Sequence, residues 1–308
     1  MLRWFNSNPS GATTGLHAGG QGLALASIRA ERGRRPRLIE ARMIDTAEDP
    51  ESALRSLVGE AGLDRSPANL VLGSGSYQLL QVEAPNVAPS ELRAAVRWKL
   101  RELIDFHIDD AVIDVFDIPG QENRPADQAM MYAVAARARD IREHIDRIED
   151  SGLALKVIDI TELAMRNLAA LTEADTRGVA MLYLGRDQGN LTITRQGSLY
   201  LTRRLDTGWG QLEPGALNSG QRLVLEVQRS LDYYDRHFAQ PPVSHVYLIP
   251  GFEHDAGLAE TLASGLEPTV EALDWQALFD PETRPPGNAL GPVLLAAGGA
   301  LRQEGVSL

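Results

Sequence analysis

The chain has 308 residues, 44% hydrophobic and 23% charged, which suits a globular protein of about two domains. A formal net charge of −12 excludes duplex nucleic acid as a main partner, because neutralising phosphates needs clustered Lys and Arg. The absence of cysteine excludes disulfides and thiolate metal sites, and no apolar run approaches the roughly 18–20 residues that span a bilayer.

The N-terminal stretch MLRWFNSNPSG has too short an apolar segment for a signal peptide. Leu2, Trp4 and Phe5 read as a loosely packed terminus, with contact to a membrane surface as the alternative. Alternating patterns then predict strands over 13–18, 23–30 and 37–44. The first two are joined by the glycine turn Gly19-Gly20-Gln21-Gly22. A helix over 50–61 follows, capped by Asp49 and stopped by Gly62, and then a strand over 69–75.

The order recurs later. Strands are predicted over 180–184, 190–194 and 198–205, with the glycine turn Gly185-Arg186-Asp187-Gln188-Gly189 between the first two. A helix over 220–239 carries Leu223, Val224, Val227 and Leu231 on one face, and a strand over 244–251 follows. Two copies of β-β-β-α-β, each opened by a glycine hairpin, suggest a duplicated α/β fold with one hairpin on either side of a cleft. The apolar run VLLAAGGALR at 293–302 reads as a buried helix.

Residues 76–153 form an insertion in the first copy. With the strand over 153–160, its elements read β-α-β-β-α-β, a ferredoxin-like split arrangement. Its first helix, over 89–104, carries Arg97, Trp98 and Arg101. Trp98 suits a peptide groove, where Trp and Arg anchors are common, but core burial is the favoured reading. At least one of Tyr233 and Tyr234 belongs to the core. FHIDD at 106–110 reads as a solvated acidic loop, His254-Asp255 as the start of a helix, and GSGS at 73–76 as too short a signal for a dinucleotide loop.

Three stretches resemble the PilM/MshI group of actin-like type IV pilus assembly proteins, the MshI-type (MSHA biogenesis) members most closely. They are SELRAAVRWKLRELIDFHIDDAVIDVFDIP (90–119), GNLTITRQGSLYLTRRL (189–205) and LEVQRSLDYYDRHFAQPPVSHVYLIPG (225–251), with EVQRSLDYY the most specific run. The resemblance implies a duplicated actin-like fold with its insertion placed as in the bacterial division protein FtsA. The first half would comprise 1–175, with core 1–75 and 154–175. The second would comprise 176–308, with a C-terminal helix at about 291–303 that packs back on the first half. It also implies a cytoplasmic position under the inner membrane. There the chain would bind the N-terminal cytoplasmic segment of a bitopic partner, PilN-like or MshJ-like, in a groove between insertion and first-half core. Arg97, Trp98 and Arg101 are the candidate anchors.

ATP-binding members of that group carry Asp-Ile-Gly in both phosphate hairpins. Alignment on GLHAGG and LYLG places His17 and Tyr183 at the two aspartates, so the carboxylates that hold Mg²⁺ are missing. Gly19, Gly20, Gly22, Gly185 and Gly189 still permit close backbone approach to a phosphate. In the third glycine patch, Pro250-Gly251-Phe252 replaces Gly-Gly, and Phe252 would crowd a base or ribose. The expectation is a scaffold with a degenerate nucleotide cleft, no catalytic residue and no cofactor. The alternative is an ATP-binding protein or slow ATPase that recruits Mg²⁺ through Asp187, which otherwise reads as a turn-former. A small-molecule kinase is the weaker third reading, since no catalytic acid stands at the motif positions.

Overall fold

The computed structural model describes residues 11–44, 49–121, 125, 128–212, 217–251 and 255–302. Leu2, Trp4, Phe5, Phe252 and His254 lie outside the described residues.

Strands β1 (Ala12–Gly19), β2 (Gly22–Arg29) and β3 (Arg37–Ile44) form an antiparallel meander. Helix α1 (Pro50–Glu60) begins at Asp49, whose Oδ1 accepts from the Glu51 amide at 3.1 Å, and Pro50 fits its first turn. It ends before Gly62, which takes φ of +63° as a left-handed stop. Strand β4 (Pro67–Leu72) returns parallel to β1.

The insertion contributes β5 (Tyr77–Glu83), α2 (Pro89–Leu100), β6 (Ala111–Asp117), β7 (Met130–Arg137) and α3 (Ala138–Asp150). Strand β8 (Ala154–Ile160) and helix α4 (Thr161–Ala169) lead out of it. The second copy contains β9 (Val179–Leu184), β10 (Gly189–Arg195), β11 (Ser198–Leu205), α5 (Leu217–Phe238), β12 (His245–Ile249), α6 (Asp255–Gly265) and β13 (Thr269–Ala272). Short α7 (Trp275–Leu278) and β14 (Asp280–Pro281) precede the last helix, α8 (Leu290–Ala300).

The duplication is visible in the strand orders. One sheet runs β14-β3-β2-β1-β4-β8 and the other β11-β10-β9-β12-β13. Each is a meander with a parallel fourth and fifth strand, so β8 and β13 hold equivalent places. This corrects one detail of the insertion. The closing strand of the expected β-α-β-β-α-β pairs with β4, and the insertion's own sheet has three strands, β5-β7-β6. Helix α2 is also shorter than expected, ending at Leu100 before a series of turns.

Helices α4 and α8 pack on each other between the two large sheets, within one hydrophobic core that draws on both. Every residue of α8 from Gly291 to Ala300 is buried. Close approach needs glycine. A Cβ on Gly15 of β1 would lie 1.8 Å from the Ala296 carbonyl oxygen, and one on Gly298 would lie 2.4 Å from that of Ala164. Asn69 Nδ2 donates to the Gly299 carbonyl at 3.0 Å, and Asn167 Nδ2 to that of Gly298 at 2.8 Å.

Both obstacles are backbone atoms, so Gly15→Ala is expected to cost about 3 kcal/mol or more. Gly20→Ala, which meets nothing within 4 Å, is expected to stay within about 0.5 kcal/mol of the parent. Urea unfolding checks both, and a midpoint for Gly15→Ala equal to that of Gly20→Ala would refute the packing argument.

Candidate functional site

The duplicated hairpins face one another across a cleft of about 520 Å³. Gly19, Gly20 and Gly22 line one wall, and Gly185, Arg186, Asp187 and Gln188 the other. His17 and Tyr183 stand at equivalent places on β1 and β9, with ring centroids 6.5 Å apart in an edge-to-face arrangement. The GSGS segment at 73–76 also lines the cleft, held by the Gly73 amide donating to the Ala18 carbonyl at 2.8 Å. Helix α3 adds His144 and Arg147, which reading the sequence did not single out. Of the remaining expected site residues, Gly189 and Gly251 are not among those lining the cleft. Gly251 nevertheless lies near Tyr183, because a Cβ on Gly291 would meet both within 3.4 Å.

Several of these glycines also have packing reasons. A Cβ on Gly19 would lie 2.7 Å from His17 Cε1, and one on Gly189 would lie 2.6 Å from Leu184 Cδ2. The second hairpin is braced from behind by Gly208 and Gly210. The Gly210 amide donates to the Arg186 carbonyl at 2.8 Å.

His17 is 3% exposed, and neither ring nitrogen has a hydrogen-bond partner among the described residues. Burial lowers its pKa to about 4, so the ring is neutral at pH 7. Burial likewise pushes the Tyr183 phenol up to about 12. Burial, followed by the charge of Arg147, lowers the His144 imidazole. The cleft therefore has neutral rings where a Mg²⁺ site needs carboxylate oxygens. Among the described lining residues Asp187 is the one carboxylate, and it is exposed on the hairpin. This donor set does not fit Mg²⁺ with its nucleotide, and no group of three or more His, Asp or Glu among the described residues could hold a metal. His107, Asp109 and Asp110 form a solvated turn, in which His107 Nδ1 accepts from the Asp109 amide at 3.2 Å.

Behind the cleft runs a buried chain of hydrogen bonds. Ser74 Oγ donates to Asn190 Oδ1 at 2.7 Å, and Asn190 Nδ2 donates to Glu162 Oε1 at 2.7 Å. The Tyr77 hydroxyl donates to Glu162 Oε2. Burial raises the pKa of Glu162, against the lowering effect of these bonds. The chain ties the cleft loop, the start of the insertion, α4 and the second copy together.

A separate groove of about 390 Å³ opens between the insertion and the core. It is bordered by β6 (Asp114–Asp117), β8 (Ile158–Ile160), Leu163 and Arg166 of α4, and the turn into β11 (Gly197–Leu199). Among the described residues, strands β6 and β8 are outermost in their sheets, so each has an unpaired edge. At one end Arg302 Nη1 bonds buried Asp159 Oδ2 at 2.7 Å.

Arg97, Trp98 and Arg101 line neither cavity. Core burial of Trp98, the favoured reading, is overturned, because the ring is 74% exposed. Helix α2 packs Leu92, Val96 and Leu100 on the three-stranded sheet, and position 98 falls on the opposite side. Arg97 pairs with Asp109 at 3.1 Å, and Arg101 is exposed. Of the two tyrosines, Tyr234 is fully buried and Tyr233 half-buried.

The buried neutral histidine makes stability depend on pH. Its folded pKa lies below the unfolded value of 6.5, so the unfolded state binds more protons between about pH 6.5 and 4. Stability therefore falls as pH drops through that window. His17→Leu should remove this component. Relative to the variant, the parent should lose about 2.5 kcal/mol between about pH 7 and pH 4.5. Urea unfolding at the two pH values measures the difference, and a difference that does not change with pH would refute a buried neutral His17.

A model of the type IV pilus assembly protein PilM family matches residues 39–215, more than half of the chain. Among solved structures, the chain is similar to the PilM–PilN type IV pilus biogenesis complex. The identity is 21%, over 94% of this chain and 97% of that one, with a TM-score of 0.70. It is also similar to the cytoplasmic domain of EpsL, an inner-membrane component of the type II secretion system of Vibrio cholerae. There the identity is 13%, the coverage 95% and 96%, and the TM-score 0.54. A Bacteroides thetaiotaomicron protein with an actin-like ATPase fold and unknown function aligns at 6% identity over 88% and 93%, with a TM-score of 0.52. No curated protein sequence matches the chain. At these identities the structural likeness shows a shared fold, the duplicated actin-like fold. Together with the family match it leads to one conclusion: the chain belongs to the type IV pilus assembly protein PilM family.

Proposed function

We propose that this chain is a scaffold of type IV pilus assembly, of the MSHA type, which seats an extended segment of a PilN-like or MshJ-like bitopic inner-membrane protein. The observation that carries this reading is the groove bordered by the open edges of β6 and β8. An extended peptide entering it would add a strand to one edge, gaining main-chain hydrogen bonds, while its side chains reach Leu163 and Leu199. Exposed Asp117 on β6 favours a basic segment, as is usual on the cytoplasmic side of a membrane anchor. The solved PilM–PilN complex supports the choice of partner. Among the described residues no helix is long and apolar enough to cross a membrane, and in this reading the chain reaches the inner membrane through its partner. The neutral His17 and Tyr183 support a cleft that does not hydrolyse ATP.

Calorimetry with a synthetic peptide of the partner's cytoplasmic N-terminus tests the groove. Ser198→Trp fills it from the β11 turn, and Asp117→Lys reverses the charge on its rim. Each should weaken binding about tenfold or more and leave stability within about 0.5 kcal/mol. Unchanged affinity in both variants would move the partner elsewhere.

Trp98→Ala provides the comparison. Because the ring is exposed, its melting temperature should match the parent. A large loss of affinity in Trp98→Ala with none in Ser198→Trp would assign the partner to α2. For the cleft, incubation with ATP and Mg²⁺ should release no phosphate above a protein-free control. Sustained turnover that Asp187→Ala abolishes would establish the slow ATPase.

A further inference from the structure

The chain is acidic overall, yet one turn reverses the sign. The stretch RAERGRRPR at 29–37 carries five arginines against one glutamate, a net +4 in a chain of net −12. It spans the β2–β3 turn, which is closed by the Arg34 amide donating to the Glu31 carbonyl at 3.2 Å, with Gly33 at φ of +75°. Arg32, Arg34 and Arg35 are exposed at the tip. Arg32 makes no ion pair among the described residues. Arg35 Nη1 donates to the Gln276 carbonyl of α7 at 3.2 Å, a neutral acceptor that leaves its charge in place. Arg34 pairs with Glu31 at 3.0 Å and Arg37 with Glu282, and both pairs are open to solvent. Exposed pairs of this kind contribute little, so a denser array of anions replaces their carboxylates at small cost. Arg34, Arg35 and Arg37, with Glu31 and Asp280, line a pocket of about 420 Å³ that shares no residue with the cleft or the groove.

We propose that this turn docks on an anionic phospholipid surface, giving the chain a direct membrane contact beside the one its partner provides. This contact goes beyond the scaffold reading and rests on it only for placing the chain at a membrane. A planar guanidinium matches two phosphate oxygens at once, so each arginine can hold one lipid headgroup. The cytoplasmic leaflet is anionic, and each Lys or Arg that reaches such a surface strengthens adsorption about fivefold. The acidic remainder of the chain opposes this only at close range, because charges further off than about 10 Å are largely screened at about 0.1 M salt. An acidic protein partner is the less suitable occupant. Protein interfaces are centred on apolar and aromatic anchors, and the large exposed hydrophobic side chains, Val87, Trp98, Leu103, Val112 and Leu225, all lie outside the turn. The same lack of apolar side chains keeps the contact electrostatic, without insertion into hydrocarbon, so salt reverses it.

The test is co-sedimentation of the full chain with two kinds of vesicle, phosphatidylcholine alone and phosphatidylcholine with an equal part of phosphatidylglycerol. The chain should bind the vesicles that contain phosphatidylglycerol at low salt, leave them at high salt, and ignore phosphatidylcholine alone. The double variant Arg32→Glu with Arg35→Glu should lose about tenfold or more in vesicle affinity, while its melting temperature and its affinity for the partner peptide match the parent. Arg139→Glu with Arg142→Glu, exposed on α3, changes the net charge equally and should bind vesicles as the parent does. The lipid contact is overturned if neither vesicle binds, if both bind alike, if salt does not release the chain, if the turn variant binds as the parent does, or if the α3 variant loses as much. Binding of a polyglutamate peptide at the turn without binding of vesicles would assign the surface to an acidic protein and overturn it too. Failure with vesicles while the partner peptide still enters the groove leaves the scaffold reading standing.

Discussion

The architecture depends on a backbone-to-backbone contact. Helix α8 lies so close to β1 that the space for a side chain at Gly15 is already taken by a helix carbonyl. The same helix touches α4 through Gly298, and two buried asparagines satisfy carbonyls near its end. Such closeness yields dense packing without long side chains. It also fixes where both ends of α8 lie. Its start stands against Tyr183 at the base of the cleft, and the chain just beyond it delivers Arg302 to Asp159 in the groove.

Cleft and groove thus share their supports. Helix α4 places Glu162 in the hydrogen-bond chain behind the cleft and Leu163 and Arg166 in the groove. Tyr77, the first residue of β5, donates to the same carboxylate that Asn190 holds from the second copy. Buried polar networks of this sort fix geometry when every member is satisfied. The insertion is therefore anchored to both copies at the point where it leaves the core.

Much of the fold was legible because its signals are local. Alternation and glycine turns located the two meanders, with the bounds of β3 and β11 met at both ends. Asp49 and Gly62 marked the limits of α1. Helix α4 left no comparable mark. It is only nine residues long and buried along most of its length, polar Thr161 and Glu162 included, and the Thr161 hydroxyl donates to the Leu72 carbonyl at 2.9 Å without capping the helix. The sheet membership of β8 was hidden for another reason: a strand's own residues do not say which neighbour it pairs with. Trp98 was misread because bulk suggests burial, whereas the positions of Leu92, Val96 and Leu100 turn it outward. The sequence did point to His17 and Tyr183, through alignment of each hairpin on the Asp-Ile-Gly motif of the family it resembles. Arg147 and His144 could not be found that way, since tertiary packing brings together segments far apart in the chain, and a groove between insertion and core was expected only through the family resemblance.

The place of α8 also bears on the order of folding. Strand β1 precedes the second copy in the chain, and the helix that packs against it follows that whole copy. The first sheet therefore cannot complete its core until the second copy has been made, although domains commonly fold as they emerge. Until then Ala24 and Ala26 of β2, which share a core with α8, lack that cover, whereas Leu16 packs with Leu54 and Val58 of α1. Such long-range closure gives the fold a high contact order, so slow folding is built into this packing arrangement.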